Sequence, residues 1–287
     1  MNGVQPTVRN VFLDFSTQFE GRVPYLYVDV LDKVTIGVGN LVDPLPLALA
    51  LPFVFKSDPA TTASVDDITA DWNAVKSDPT LARRGYRACA PLTKLMLTDE
   101  AIDDLVLSKA EQNESTLRRT SEFADYDDWP ADAQLGLLSM AWALGPAFAS
   151  GWPAFRAACG AHDWDAAAAA CRITETGNPG VVPRNAANRA LFRTAAYLAG
   201  QGYDPFTMGY TVTGNRPTVR LGATGDAVTF LQERLSSLDY LATSSDSFDS
   251  DTDDAVRAFQ TDNELTADGV VGAACWAALG TGIPRQV

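Results

Sequence analysis

Apolar residues recur at Val8, Val11, Phe12, Phe15 and Phe19, a spacing that lays one stripe along a helix. Glu20 closes that run, and Gly21 just beyond it is a natural helix stop. Residues 25–39 read as short strands rich in Tyr, Val and Ile, around a turn near Leu31-Asp32-Lys33. Residues 41–97 are long and punctuated by Pro and Asp, with a helical pattern in DDITADWNAVKSD. From Leu97 the chain is mostly helical. Thr98 caps LTDEAIDDLVLSKAEQNE, which carries acids in its first turn. The stretch DAQLGLLSMAWALG is apolar on nearly every face, which predicts a buried central helix. HDWDAAAAAC reads as a capped amphipathic helix carrying Trp164 and Cys171, and NRALFRTAAYLAG runs to Gly200. The first 200 residues therefore predict an α+β domain, mostly helical with one small antiparallel sheet.

Periodicity is lost over residues 205–218, PFTMGYTVTGNRPT, whose Thr, Gly and Pro content predicts a linker. Beyond it lies an internal repeat. Ala227-Val228-x-x-Leu231-Gln232 recurs 28 residues later as Ala255-Val256-x-x-Phe259-Gln260. Two helices with matching apolar faces predict a small, pseudo-symmetric helical bundle.

Composition narrows the function classes. With 287 residues, 46% of them hydrophobic, there is material for one large or two smaller cores. The net charge of −14 argues against a nucleic-acid partner, which would require a basic face. The acidity is shared, since residues 215–287 hold 5 basic against 11 acidic residues. The N-terminus has neither a basic region nor a long apolar run, so no signal peptide is expected. PLPLALALPFVF, from Pro44, is too short and too interrupted by proline to span a bilayer. A soluble monomer is expected, made in the cytoplasm and without membrane insertion. Cys89, Cys159, Cys171 and Cys275 form no CxxC pair and read as buried thiols; whether Cys159 and Cys171 meet is not fixed by the sequence.

Metal chemistry finds little support. His162 is the single histidine and reads as a surface residue, whereas a zinc peptidase normally uses two or more. Cys159 stands three residues from it, a helical spacing rather than a nucleophile–base pair. Asp249-x-Asp251-x-Asp253 mimics the start of a calcium loop, but Asp254 and Gln260 occupy the places that need Gly and Glu. An acidic helix N-terminus is the better reading. No cofactor and no metal are expected.

The candidate chemistry lies in FEGRVPYLYVDVLDKVTIGVGN, residues 19–40. Glu20 falls at a helix C-terminus beside apolar Phe19, and both features favour the protonated carboxyl that a general acid requires. Asp29 falls on the neighbouring hairpin, in a more solvated setting. Two carboxyls in unlike environments are what glycoside cleavage uses. Thr35, Gly37 and Gly39 are expected on one face of their strand, with Ile36 and Val38 on the other, so that bare glycine backbone faces a sugar ring.

Glu20-x8-Asp29-x5-Thr35 followed by Ile-Gly-Val-Gly resembles the catalytic signature of the T-even phage lysozyme family. ADAQLGLLSMAWALG, GWPAFRAACGAHDWDAAAAA and RNAANRALFR resemble that family's later helices, in order, so the likeness covers about residues 8–40 and 95–198. It implies a muramidase cutting between N-acetylmuramic acid and N-acetylglucosamine with inversion. Glu20 would be the general acid, and Asp29 with Thr35 would manage the water. Gly37, Gly39 and Asn40 would support substrate. Arg189 matches a family arginine that pairs with the glutamate; that pairing opposes the helix end, and residue types alone do not fix the net effect on Glu20. Asn40 stands where the family usually has His, and residues 41–94 exceed the family's small lobe, as an insertion.

Residues 219–287 resemble the three-helix peptidoglycan-binding domain. The landmarks include Leu221-Gly222, Gly225, Leu231-Gln232, Phe259-Gln260, Asp268-Gly269, Gly272 and Trp276; Cys275 and Asp239 replace the usual Thr and Gly. The resemblance places wall binding near the 268–272 turn. The combined expectation is a lysozyme-like domain over 1–204 with an insertion at about 41–94, a linker at 205–218, and an all-α module over 219–287. It would be an endolysin-type muramidase whose partner is bacterial peptidoglycan, reaching the wall by release or delivery. The alternatives are a non-catalytic wall-anchoring protein of the same fold and a secreted antibacterial effector.

Overall fold

The computed structural model describes residues 4–178, 180–211, 213, 216–245 and 247–280. The chain is α+β, with small antiparallel sheets and a helical C-terminal region. It divides into two compact units, residues 16–110 and residues 1–15 with 111–287.

The first helix, α1 (Pro6–Glu20), follows its apolar stripe: Val8, Phe12 and Phe15 are fully buried. It ends where expected, because Gly21 takes a left-handed φ of 73° that breaks the helical path. Within residues 16–110, β1 (Val23–Val28), β2 (Val34–Gly37) and β3 (Asn40–Leu41) form an antiparallel sheet in that order. The β1–β2 connection is the turn expected at 31–33, with Asp32 at φ 58°.

The segment read as an insertion carries two of the three strands of a second small sheet. After α2 (Pro46–Leu49) come β4 (Val54–Phe55) and β5 (Asp58–Thr62); β6 (Leu95–Met96) completes the order β5-β4-β6. The expected helix is α3 (Val65–Lys76), started by a reciprocal capping box between Ser64 and Asp67. Buried Asp71 on α3 accepts the amides of Lys94 and Leu95 at 2.7 and 2.8 Å, tying the helix to β6. The one-turn α4 (Leu81–Arg84) precedes α5 (Asp99–Leu117), whose first turn is capped by the Thr98 hydroxyl accepting from Ala101 N–H.

In the other unit, α6 (Ala131–Leu144) is the buried helix its all-round apolar sequence predicts. It packs against α9 (Val181–Gly200), and Gly136 permits the approach: a Cβ there would lie 2.8 Å from Phe192 Cζ. Between them in sequence, α7 (Pro153–Gly160) and α8 (Trp164–Ala170) pack together; α8 is capped by the Asp163 carboxylate accepting from Ala166 N–H. Cys159 and Cys171 are buried free thiols close enough to interact, and burial pushes Cys171 up to about 12.

The described part of the 205–218 segment carries no helix, and it is pinned rather than loose. Pro205 C=O accepts Ala131 N–H at 2.7 Å, and Gly209 N–H donates to Asp132 at 2.8 Å. The Tyr210 ring meets Phe15 edge-on, and Thr211 N–H donates to Gly280 C=O. Val212, Gly214 and Asn215 of that segment lie outside the described residues.

The repeat forms α10 (Asp226–Ser237) and α11 (Ser250–Asp262), closed by α12 (Ala273–Gly280) around Leu231, Leu235, Val256, Phe259 and Trp276. The repeated glutamines do matching work. Gln232 donates to Ser247 C=O and Thr252 Oγ1, while Gln260 donates to Val270 C=O and accepts Gly269 N–H. Each holds a loop from inside the core. Asp249 caps α11 by accepting from Thr252 N–H, which confirms the acidic helix start.

Candidate functional site

The candidate residues Glu20, Asp29, Thr35, Gly37, Gly39 and Asn40 converge at the end of α1 and the β1–β2–β3 sheet. Asp29 follows β1, where its Oδ1 accepts Leu31 N–H at 2.8 Å and Lys33 N–H at 2.9 Å. This Asx-type closure of the turn fixes the carboxylate on a short rigid loop. Thr35 is buried in β2, directly opposite Tyr27 on β1, and donates to Lys33 C=O at 3.2 Å.

The expected alternation past Thr35 does not hold. β2 stops at Gly37, all four of its residues are buried, and Gly37 and Gly39 take φ of 66° and 75° around a tight turn. The glycines are there for chain reversal and close approach. A Cβ on Gly39 would lie 3.2 Å from Glu20 Oε2, so bare glycine makes room for the acid itself. Glu20 is exposed, not walled in by its apolar helix neighbours. Asn40, buried, accepts Val38 N–H at 3.1 Å on Oδ1 and fills the space a Gly37 Cβ would need. Its role is to close the turn from within.

Tyr27 is the member that residue spacing missed. Burial first, and then the nearby charges of Glu20 and Asp29, push its phenol well above the ordinary tyrosine range. A neutral hydroxyl thus stands within electrostatic reach of both carboxylates. Nothing in its local sequence marks it; the register opposite Thr35 does. The insertion contributes Tyr86, 42% exposed, whose ring meets Tyr27 at 6.2 Å.

Arg189 lies on α9, in the other unit. Its Nη1 donates to Asn263 C=O at 3.2 Å, and it pairs with the Glu264 carboxylate at 3.4 Å. Arg193 pairs with the same carboxylate. The buried arginine on that helix is Arg184, which donates to Ser139 Oγ at 3.1 Å. His162 is exposed, as expected; its Nε2 is 2.6 Å from Asp125 Oδ2, and its ring stacks on Trp164. Among the described residues no group of three or more His, Cys, Asp or Glu could hold a metal ion. No helix among them is long and apolar enough to cross a membrane.

In the C-terminal bundle, α10 and α11 both end in a left-handed residue two positions on, Asp239 at φ 60° and Glu264 at φ 56°. That conformation explains why glycine suits position 239. Gly269, at φ 73°, has Asp253 and Arg257 packed where a Cβ would go. Residues 224–279 match the family described as a putative peptidoglycan binding domain. No curated protein matches the chain. The match supports peptidoglycan as a partner of the bundle and covers none of the residues around Glu20.

Proposed function

We propose that this chain is a modular muramidase: the α+β part hydrolyses the β-1,4 bond between N-acetylmuramic acid and N-acetylglucosamine, and the C-terminal bundle holds it on the wall. The observation that carries the reading is Glu20 seated against the bare backbone of Gly39, with Tyr27 in reach of both Glu20 and Asp29. Glu20 delivers a proton to the leaving glycosidic oxygen. Asp29, held by the turn amides through Oδ1, uses its carboxylate to orient and deprotonate a water on the opposite face of the sugar, with Thr35 beside it on β2. Inversion at the anomeric carbon follows. Tyr27, raised by burial and by both acids, keeps its proton and stays a neutral hydroxyl near them. The peptidoglycan match over 224–279 supports the substrate class, because a wall-bound enzyme meets its substrate at high local concentration.

Product analysis on purified peptidoglycan tests this, comparing the parent chain with Glu20→Gln. New reducing ends at muramic acid, lost in the variant, are expected. General acid catalysis is worth about 10²–10⁴-fold, so activity in Glu20→Gln above roughly a tenth of the parent would refute the acid role. Free amino groups without reducing ends would mean an amidase or peptidase. No product from either chain would leave a non-catalytic wall anchor.

A further inference from the structure

A cleft of about 500 Å³ lies between α9 and the C-terminal bundle, inside a single compact unit. One wall is Val182, Ala186 and Arg189 of α9 with Arg172 just before it; the other is the 268–272 turn and the start of α12. The bundle alone would present only half of this surface.

The lining chemistry selects a ligand class. It contains no aromatic ring, the side chain on which sugar faces stack. Its floor is small and aliphatic, with Ala186, Ala274 and Val270, and suits methyl-sized side chains. Its charges are of both signs: Arg172, Glu175 and Arg189 from one wall, Glu264 and Asp268 from the other. The arginines are held but not locked. Arg172 pairs with Glu175 at 2.7 Å while 65% of its side chain stays exposed, and such pairs are worth little in water. Arg189 is anchored through Nη1 to Asn263 C=O at 3.2 Å and shares Glu264 with Arg193, so a ligand carboxylate that engages its other N–H groups leaves Glu264 still neutralised. Two cations around one acid are already arranged for a second carboxylate.

We propose that this cleft is a composite subsite for the peptide stems of peptidoglycan: short, zwitterionic chains of small residues, read jointly by the bundle and by α9. The proposal rests on the wall-binding part of the function above and is independent of the hydrolytic part. A peptide carboxylate engages Arg189 and Arg172, methyl groups lie on the aliphatic floor, and a free amine faces Asp268. Placing one wall of the subsite on α9 makes binding depend on the full chain.

The test is equilibrium binding of the full-length Glu20→Gln chain to intact sacculi and to glycan strands stripped of peptides by an amidase. Val182→Trp, at an exposed position, fills the cleft from α9; Ala273→Trp, also exposed, fills it from the bundle should the first variant fold poorly. The parent is expected to bind sacculi at least about tenfold more tightly than stripped glycan, with soluble stem peptide competing. The tryptophan variant is expected to lose a similar factor on sacculi while its melting temperature holds. Equal binding to stripped glycan, or a folded tryptophan variant that binds sacculi as the parent does, overturns the subsite and leaves wall binding intact. No parent binding to sacculi overturns both.

Discussion

Two glycines of nearly the same backbone geometry separate stability from function in the candidate site. Gly21 has φ 73° and Gly39 has φ 75°. A Cβ on Gly21 meets nothing within 4 Å, whereas a Cβ on Gly39 lies 3.2 Å from Glu20 Oε2 and 3.5 Å from its Cδ. Alanine at either position takes a left-handed conformation costing about 1–2 kcal/mol. Reduced freedom of the unfolded chain offsets part of that cost, so each variant should lose about 1 kcal/mol. The two melts should therefore fall together. Only Gly39→Ala also pushes the Glu20 carboxylate, by a few tenths of an ångström at ordinary contact distances. Misplacing a catalytic group by about 1 Å can cost ~10²-fold, which makes a roughly tenfold loss the expected effect. Release of reducing ends from peptidoglycan, at a temperature where both variants are fully folded, is the assay. Gly21→Ala should retain the parent rate. Equal activities of the two alanine variants would refute the view that Gly39 is bare to seat the acid.

Asp132 gives a pH prediction. Its carboxyl is buried, and burial raises it from 3.8 to about 7, against the Gly209 amide that favours the charged form. Because the folded value lies above the unfolded one, the native state keeps a proton that the unfolded chain has lost. Stability therefore falls as pH rises from about 4 to about 7 and stays low above that. At about 1.4 kcal/mol per tenfold change in proton affinity, the effect is at most about 4 kcal/mol. Asp132→Asn should flatten this fall in urea unfolding between about pH 4.5 and pH 8; parallel pH profiles would refute it. Asp71→Ala strips the acceptor from the Lys94 and Leu95 amides and should cost about 2–4 kcal/mol in denaturant unfolding. Asp71→Asn keeps one acceptor oxygen and should lose less; an alanine variant within about 0.5 kcal/mol of the parent would contradict the tie between α3 and β6.

Local signals in the chain already determined much of this protein. The stripe from Val8 to Phe19, the stop at Gly21, the cap at Thr98 and the mostly apolar run from Ala131 are short-range patterns, and backbone geometry obeys them wherever the core permits. The Leu231-Gln232 and Phe259-Gln260 repeat likewise disclosed the bundle, since each pair sets one helix face. Tertiary structure decided what depends on partners distant in sequence. The glycine alternation after Thr35 gave way to a tight turn, because Asn40 closes it from behind and Glu20 arrives in front. Tyr27 became a site residue only through strand register and the approach of two carboxylates. Arg189, named for its match to a family arginine, is engaged by Asn263 and Glu264, some 75 residues away, an encounter that no local period encodes. Periodicity reports which face of an element is buried; which residues meet across the folded chain is settled by packing.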